Sequence, residues 1–130
     1  MSYYSTTTLH APYEEVVDMT RSVLKKHGFG ILSEIDVHEK FKEKLGKDFR
    51  RYKILGACSP SHAHEALQCE DKIGTMLPCN VIVQEHGPDR IEVSAIDPVA
   101  SMRAVENPQL SAVATEVQAM LRETIEELAE

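Results

Sequence analysis

The sequence predicts an α+β fold, in which an antiparallel β-sheet is covered on one face by two long helices. Segments with an apolar residue at every second position, typical of strands with one buried face, occupy the middle of the chain. Two amphipathic segments with helical periodicity lie near its ends. Grouped strands flanked by helices favour an α+β packing over repeated βαβ units. The length of 130 residues suits a single domain, residues 1–130.

The first part of the chain predicts a strand, a helix and a second strand. Residues 2–11 are rich in Tyr and Thr, which suit a half-buried strand. Pro12 then begins a helix, and Gly28 ends it. The predicted inner stripe of this helix consists of Val16, Met19, Val23 and Leu24. Alternation from residue 29 to residue 41 predicts the next strand, and the charged segment after it predicts a turn or a short helical piece.

The second part predicts a third strand, a short helix, a hairpin and a long final helix. The third strand spans residues 50–58, and Ser59 and Pro60 begin a helix that reaches Gln68. A loop leads to the hairpin, whose turn is "HGPD". A connecting segment then precedes the long helix. The inner stripe of that helix consists of Leu110, Val113, Val117, Met120, Leu121, Thr124 and Leu128.

Charge and composition narrow the classes of function. The formal net charge of −7 disfavours nucleic acid as a partner, because phosphate binding requires clustered Lys and Arg. No apolar run approaches the roughly 20 residues of a membrane-spanning helix, and no signal peptide is visible, so we expect no membrane partner. The odd number of cysteines, three, suits a reducing compartment, and we expect a cytoplasmic protein.

The most distinctive candidate functional residues are two cysteines, because Cys58 and Cys79 each lie at a terminus of a predicted strand. Cys58 directly precedes a helix start, where the partial positive charge favours a thiolate. The hairpin brings Cys79 and Asn80 beside Asp97. The candidate ligand-binding site therefore consists of Cys58, Cys79, Asn80 and Asp97. Two alternatives stay open: free cysteines are often only small buried apolar side chains, and Asp97 can simply cap the turn that follows it.

His62, His64 and Cys69 lie between the two candidate cysteines and make a weaker case. Residues two apart on a helix point about 200° apart, so His62 and His64 cannot chelate one ion together. His62 lies near the first helical turn and could still meet Cys58. We expect Cys69 to be a surface or half-buried thiol without a functional partner.

Three sequence strings, "RYKILGACSPSHAHEALQ", "LPCNVIV" and "VSAIDP", occur in this order with characteristic intervals. Through them the chain resembles the DUF302 family, the domain of unknown function also called TT1751-like, over nearly its whole length. The resemblance implies a β-α-β(4)-α arrangement with a short extra helix, TBP-like layering and a homodimer. The family pattern has Cys at the positions of Cys58 and Cys79. It generally has other residues at His62, His64 and Cys69. The resemblance does not indicate an activity or a cofactor, because the role of the family is not established.

The sequence favours a binding module over an enzyme. None of the strings GxGxxG, GxxxxGK, HExxH and GxSxG occurs in it. Our first hypothesis is a dimeric protein that holds a small molecule or a metal near the candidate site. One alternative is a thiol-based redox protein that uses Cys58 and Cys79. Another is an interaction protein without a pocket.

Overall fold

The structure, a computed structural model, describes residues 2–130. These residues form five strands, β1 (Tyr4–Leu9), β2 (Gly30–Asp36), β3 (Tyr52–Cys58), β4 (Cys79–Gly87) and β5 (Arg90–Ile96). They also form five α-helices, α1 (Tyr13–Lys26), α2 (Val37–Leu45), α3 (Pro60–Cys69), α4 (Pro98–Ser101) and α5 (Pro108–Leu128), and a 3-10 helix, Asp71–Met76. The predicted α+β class is confirmed, as is the β-α-β(4)-α outline.

The strands form one antiparallel sheet in the order β1-β5-β4-β3-β2. The predicted hairpin consists of β4 and β5, which occupy adjacent central positions. Side chains of successive residues in a strand point to opposite faces, so the register decides which residues share a face. Leu55 pairs with Val81, and Val83 pairs with Val93, and all four are fully buried. These pairs therefore define the face that the helices cover.

Helices α1 and α5 pack against that covered face and against each other. Their inner stripes bury Val16 and Leu24 from α1 and Leu110 and Leu121 from α5. Helix α1 ends as predicted, because Gly28 has a φ of +94°, a conformation that glycine adopts without steric cost. Helix α3 contacts α5 and begins directly after β3. This arrangement places the start of α3 next to the end of β3 and the start of β4.

The other surface of the sheet, which we call the open face, carries partly exposed side chains. It includes Tyr4, Ile35, Tyr52, Ile54, Ile82 and Ile96. A shallow groove of about 410 Å³ runs across it. Gln84 lies in the groove, where it accepts a hydrogen bond from Arg50 at 2.9 Å and donates one to Glu92 at 3.1 Å.

Three predictions about local structure were wrong. The strand predicted over residues 29–41 stops at Asp36, and α2 follows, because its Glu- and Lys-rich sequence favours a helix over a strand. The predicted loop and connecting segment contain the 3-10 helix and α4. Met19 is 37% exposed, and Thr20 occupies the inner face of α1 instead. Thr20 can be buried there because its hydroxyl donates a hydrogen bond to the Val16 carbonyl at 2.7 Å.

Among residues 2–130, we find no helix that combines the length and the apolar character needed to cross a membrane.

Candidate functional site

Cys58 and Cys79 line the same cavity, at the point where β3 ends and β4 begins. Ala57 pairs with Cys79 across the two strands, and Cys58 is the next residue. Paired Cα atoms lie about 5 Å apart and consecutive ones about 3.8 Å apart, so the Cα atoms of the two cysteines are about 6 Å apart. That separation is within the range of about 4.4–6.8 Å found in disulfides, yet both cysteines are free.

The cavity that they share, the β3–β4 cavity, has mostly apolar walls and a volume of about 40 Å³. Its walls come from the sheet, from α3, from α5 and from Met102, which follows α4. Small side chains leave this space open, because Ala63 and Ala66 of α3 face Ala114 of α5 where a larger residue would fill it. A volume of this size holds about one to three water molecules.

A hydrogen-bonded chain of three side chains lies at the edge of the β3–β4 cavity. Ser59, which is 8% exposed, lies 2.7 Å from His62 through Oγ and Nδ1. His62 lies 2.9 Å from Glu116 through Nε2 and Oε2. An ionised carboxylate only accepts hydrogen bonds, so a neutral imidazole donates Nε2–H to Glu116 and accepts the Ser59 proton at Nδ1. Ser59 and His62 line the cavity, and Glu116 extends into solvent.

The start of α3 provides the electrostatic environment of the cavity. Ser59 is the N-cap residue of α3, but its side chain bonds His62 and accepts no capping hydrogen bond from the helix backbone. The first N–H groups of an α-helix have no intrahelical acceptor, and they carry the positive end of the helix dipole. The cavity therefore has a helix N-terminus directly beside Cys58.

Burial dominates the protonation of both cavity thiols. Burial, with a smaller contribution from the neighbouring Cys58 thiol group, raises the pKa of Cys79 from 9.0 to about 11. Burial also raises the pKa of Cys58 above its ordinary value. Both groups are therefore thiols at neutral pH, although the helix start beside Cys58 by itself favours a thiolate. Desolvation outweighs the helix dipole at this position.

Comparisons with known proteins agree with the observed fold. The family model described as "Domain of unknown function DUF302" matches residues 4–128. The chain belongs to the DUF302 family. The crystal structure of an uncharacterized conserved DUF302 protein from Bacillus stearothermophilus superposes with a TM-score of 0.89 at 25% sequence identity. That alignment covers 98% of this chain and 99% of the other. No curated protein matches the chain at a significant level.

The other two candidate residues of this DUF302 chain lie outside the β3–β4 cavity. Asn80 follows Cys79 in β4, so its side chain points to the opposite side of the sheet and lines the groove of the open face. Asp97 caps α4, accepting hydrogen bonds from the Val99 and Ala100 N–H groups at 2.9 and 3.3 Å. The structure therefore brings two of the four candidates together and separates the other two.

Asp97 is held by further contacts from α5. Gln118 donates to both of its carboxylate oxygens at 2.9 and 3.0 Å, and Arg122 approaches to 3.5 Å. These partners fix the carboxylate between α4 and α5. Asp97 therefore caps the segment that follows it, which was the alternative interpretation of the sequence.

His64 and Cys69 do not line the β3–β4 cavity. His64 is exposed, on the other side of α3 from His62. Cys69 is partly buried, and its Sγ donates a weak hydrogen bond to the Ala66 carbonyl at 3.4 Å. Within residues 2–130, no group of three or more His, Cys, Asp and Glu side chains is arranged to hold a metal ion.

Sequence reasoning missed Ser59, Met102 and Glu116 as components of the site. Ser59 had a usable signal, since a residue at a helix start lies beside the residue three positions later, which here is His62. Glu116 had no such signal in the sequence, because it reaches His62 only when α5 packs against α3. Met102 lay in a segment that we expected to be a connection.

Proposed function

We propose that this DUF302 protein binds a small ligand or a metal ion, and that its binding site is the β3–β4 cavity. The observation that carries the proposal is the convergence of Cys58, Cys79 and the Ser59 hydroxyl on one apolar cavity. A few polar groups directed into an apolar recess are typical of binding sites.

The size of the cavity restricts the ligand to an ion or a molecule of a few atoms. Pockets for drug-sized ligands measure about 300–1,000 Å³, whereas the β3–β4 cavity measures about 40 Å³. The order hydroxyl, imidazole, carboxylate in Ser59, His62 and Glu116 is also used by acyl-transfer enzymes. An acyl substrate does not fit beside Ser59, so we interpret these side chains as the polar rim of a binding site.

The protonation of the thiols argues against the redox alternative. The thiolate is the reactive species in thiol–disulfide exchange. Burial raises the pKa of Cys79 to about 11 and also raises that of Cys58, so few thiolates are present at neutral pH. We place the protein in the cytoplasm, where a reducing environment keeps its cysteines free.

We further propose that the protein is a homodimer that associates through the open face. Tyr4 is 44% and Ile35 is 43% exposed there, and Ile54 and Ile82 lie between them on the same face. Exposed apolar side chains on a sheet face that no helix covers are typical of interaction sites.

The dimer proposal predicts that Ile54→Lys yields a monomer, measured by size-exclusion chromatography with light scattering. Ala119→Lys, an exposed change on α5, is the matched control and keeps the wild-type mass. A monomeric wild-type protein would exclude the proposed dimer.

Native mass spectrometry of the untagged protein, purified without oxygen, tests the binding function. We expect an added mass in the wild type and its loss in Ala114→Leu, because the larger side chain fills the β3–β4 cavity. Ala112→Leu changes an exposed residue of the same helix and serves as the matched control. An adduct that persists in the Ala114→Leu variant, or the absence of any adduct in all three proteins, would contradict the proposed site.

A further inference from the structure

Two cysteines and a methionine line a cavity that is large enough for an ion. Cys58, Cys79 and Met102 all line the β3–β4 cavity, whose volume is about 40 Å³. Cys79 and Met102 are each 8% exposed, and Cys58 is partly exposed, which gives a small ion a path from solvent. The inference below rests on the proposed binding function and names its ligand.

We propose that the β3–β4 cavity binds one Cu(I) ion between the sulfur atoms of Cys58 and Cys79. Thiolate and thioether are the soft ligands that Cu(I) prefers in proteins. Two thiolates can satisfy Cu(I) in a nearly linear arrangement, and Met102 offers a third, weaker donor from the same walls. Cys79 pairs with Ala57, and Cys58 is the last residue of β3, where the chain leaves the sheet for α3, so both cysteines line the cavity from neighbouring backbone positions.

Binding is a proton exchange without electron transfer. Each thiol releases its proton to solvent and forms one sulfur–copper bond, and copper remains Cu(I). The resulting dithiolate complex carries one net negative charge. The N-terminus of α3, which starts directly after Cys58 and Ser59, stabilises negative charge at this position. The apolar walls from α3 and α5 keep water and oxidants away from the ion.

The donor set selects against zinc. Structural zinc sites are almost always tetrahedral and use four ligands, most often thiolate and imidazole. The imidazole that lines the cavity, that of His62, is already bonded to Ser59 and Glu116. Zn(II) would need to break this chain and still find a fourth donor. We therefore expect binding of Cu(I) and not of Zn(II).

An anaerobic titration with Cu(I), buffered by a chromophoric chelator, tests the inference on the full chain. We expect one ion per chain, and a loss of affinity of about 100-fold or more in Cys58→Ser and Cys79→Ala, because removing a ligand costs more than the roughly 10–100-fold that a change in the second shell costs. Cys69→Ser is the matched control, since Cys69 does not line the cavity, and it should bind Cu(I) as tightly as the wild type does. Circular dichroism checks that each variant folds.

A second measurement uses only the wild type, so it does not depend on the folding of a variant. Cu(I) should protect Cys58 and Cys79 from alkylation while Cys69 stays reactive, as read by peptide mass spectrometry. Equal protection of all three cysteines, or Cu(I) binding that survives both cavity variants, overturns the copper site.

The outcomes separate this inference from the proposed function. If Cu(I) does not bind but another adduct is lost specifically in Ala114→Leu, the copper inference fails and the binding function stands. If neither Cu(I) nor any other cavity-dependent adduct is found, both fail.

Discussion

Replacing Cys79 by alanine is expected to flatten the alkaline part of the dependence of stability on pH. In the folded protein, burial holds the pKa of the Cys79 thiol at about 11, compared with the ordinary value of 9.0. Between these two pH values the unfolded chain ionises this thiol and the folded chain does not. Rising pH therefore favours the unfolded state through Cys79.

The magnitude follows from the shift in pKa. Each unit corresponds to about 1.4 kcal/mol, so the free energy of unfolding falls by roughly 2–3 kcal/mol between pH 9 and pH 11 through this one group. The stabilising contribution is fully present below pH 9 and is lost above pH 11. Tyr13, whose pKa burial raises to about 12, also titrates in this range. Tyr13 is present in both wild type and Cys79→Ala, so its contribution to the pH dependence cancels when the two are compared.

Urea unfolding of wild type and Cys79→Ala at pH 8, 9, 10 and 11, with reductant present, measures the effect. The variant is less stable at pH 8, because it loses a buried side chain. The difference between the two proteins should shrink by roughly 2–3 kcal/mol by pH 11. Parallel curves over the whole range would refute the conclusion that Cys79 is a buried, protonated thiol.

Three other substitutions test separate features of the fold. Tyr13→Phe should raise the free energy of unfolding by about 1–2 kcal/mol, because the Tyr13 hydroxyl is buried without a hydrogen-bond partner in the described structure; a lower melting temperature would contradict this. Asp97→Ala should lower the free energy of unfolding by about 1–2 kcal/mol, because α4 loses its cap. Unchanged urea unfolding would count against a stabilising role of this cap. Gly56→Ala should lower the free energy of unfolding by about 1–3 kcal/mol, because the new Cβ would lie 2.7 Å from Pro78 Cγ and would clash with Ser33. A variant as stable as the wild type would show that these neighbours move freely.

Alternation and hairpin patterns predicted most of the sheet, because they depend on residues close together in the chain. The strand alternation around Val81 and Val83 identified β4, and Asn107 with Pro108 identified the start of α5. The boundary at Asp36 could not be predicted in this way, because the apolar alternation continues through Val37 into α2. There, helix propensity outweighed the pattern of apolar residues.

The candidate site was predictable only in part. Cys58 and Cys79 were found because both lie at strand ends that the register brings together. The grouping of Asn80 with Cys79 overlooked the two-residue period of a strand, which puts neighbours on opposite faces. The contact between His62 and Glu116 joins residues 54 positions apart, and only the packing of α3 on α5 creates it.

Oxidation to an intramolecular disulfide tests the central claim, that Cys58 and Cys79 face one cavity, most directly. Diamide joins two neighbouring thiols without adding atoms between them, and Cys69→Ser removes the thiol that lies outside the cavity. We predict one disulfide per chain, mapped by mass spectrometry to the Cys58 and Cys79 peptides, because Cα atoms about 6 Å apart lie within the disulfide range. Free thiols at both positions after oxidation, at a pH where both thiols react, would contradict the shared cavity.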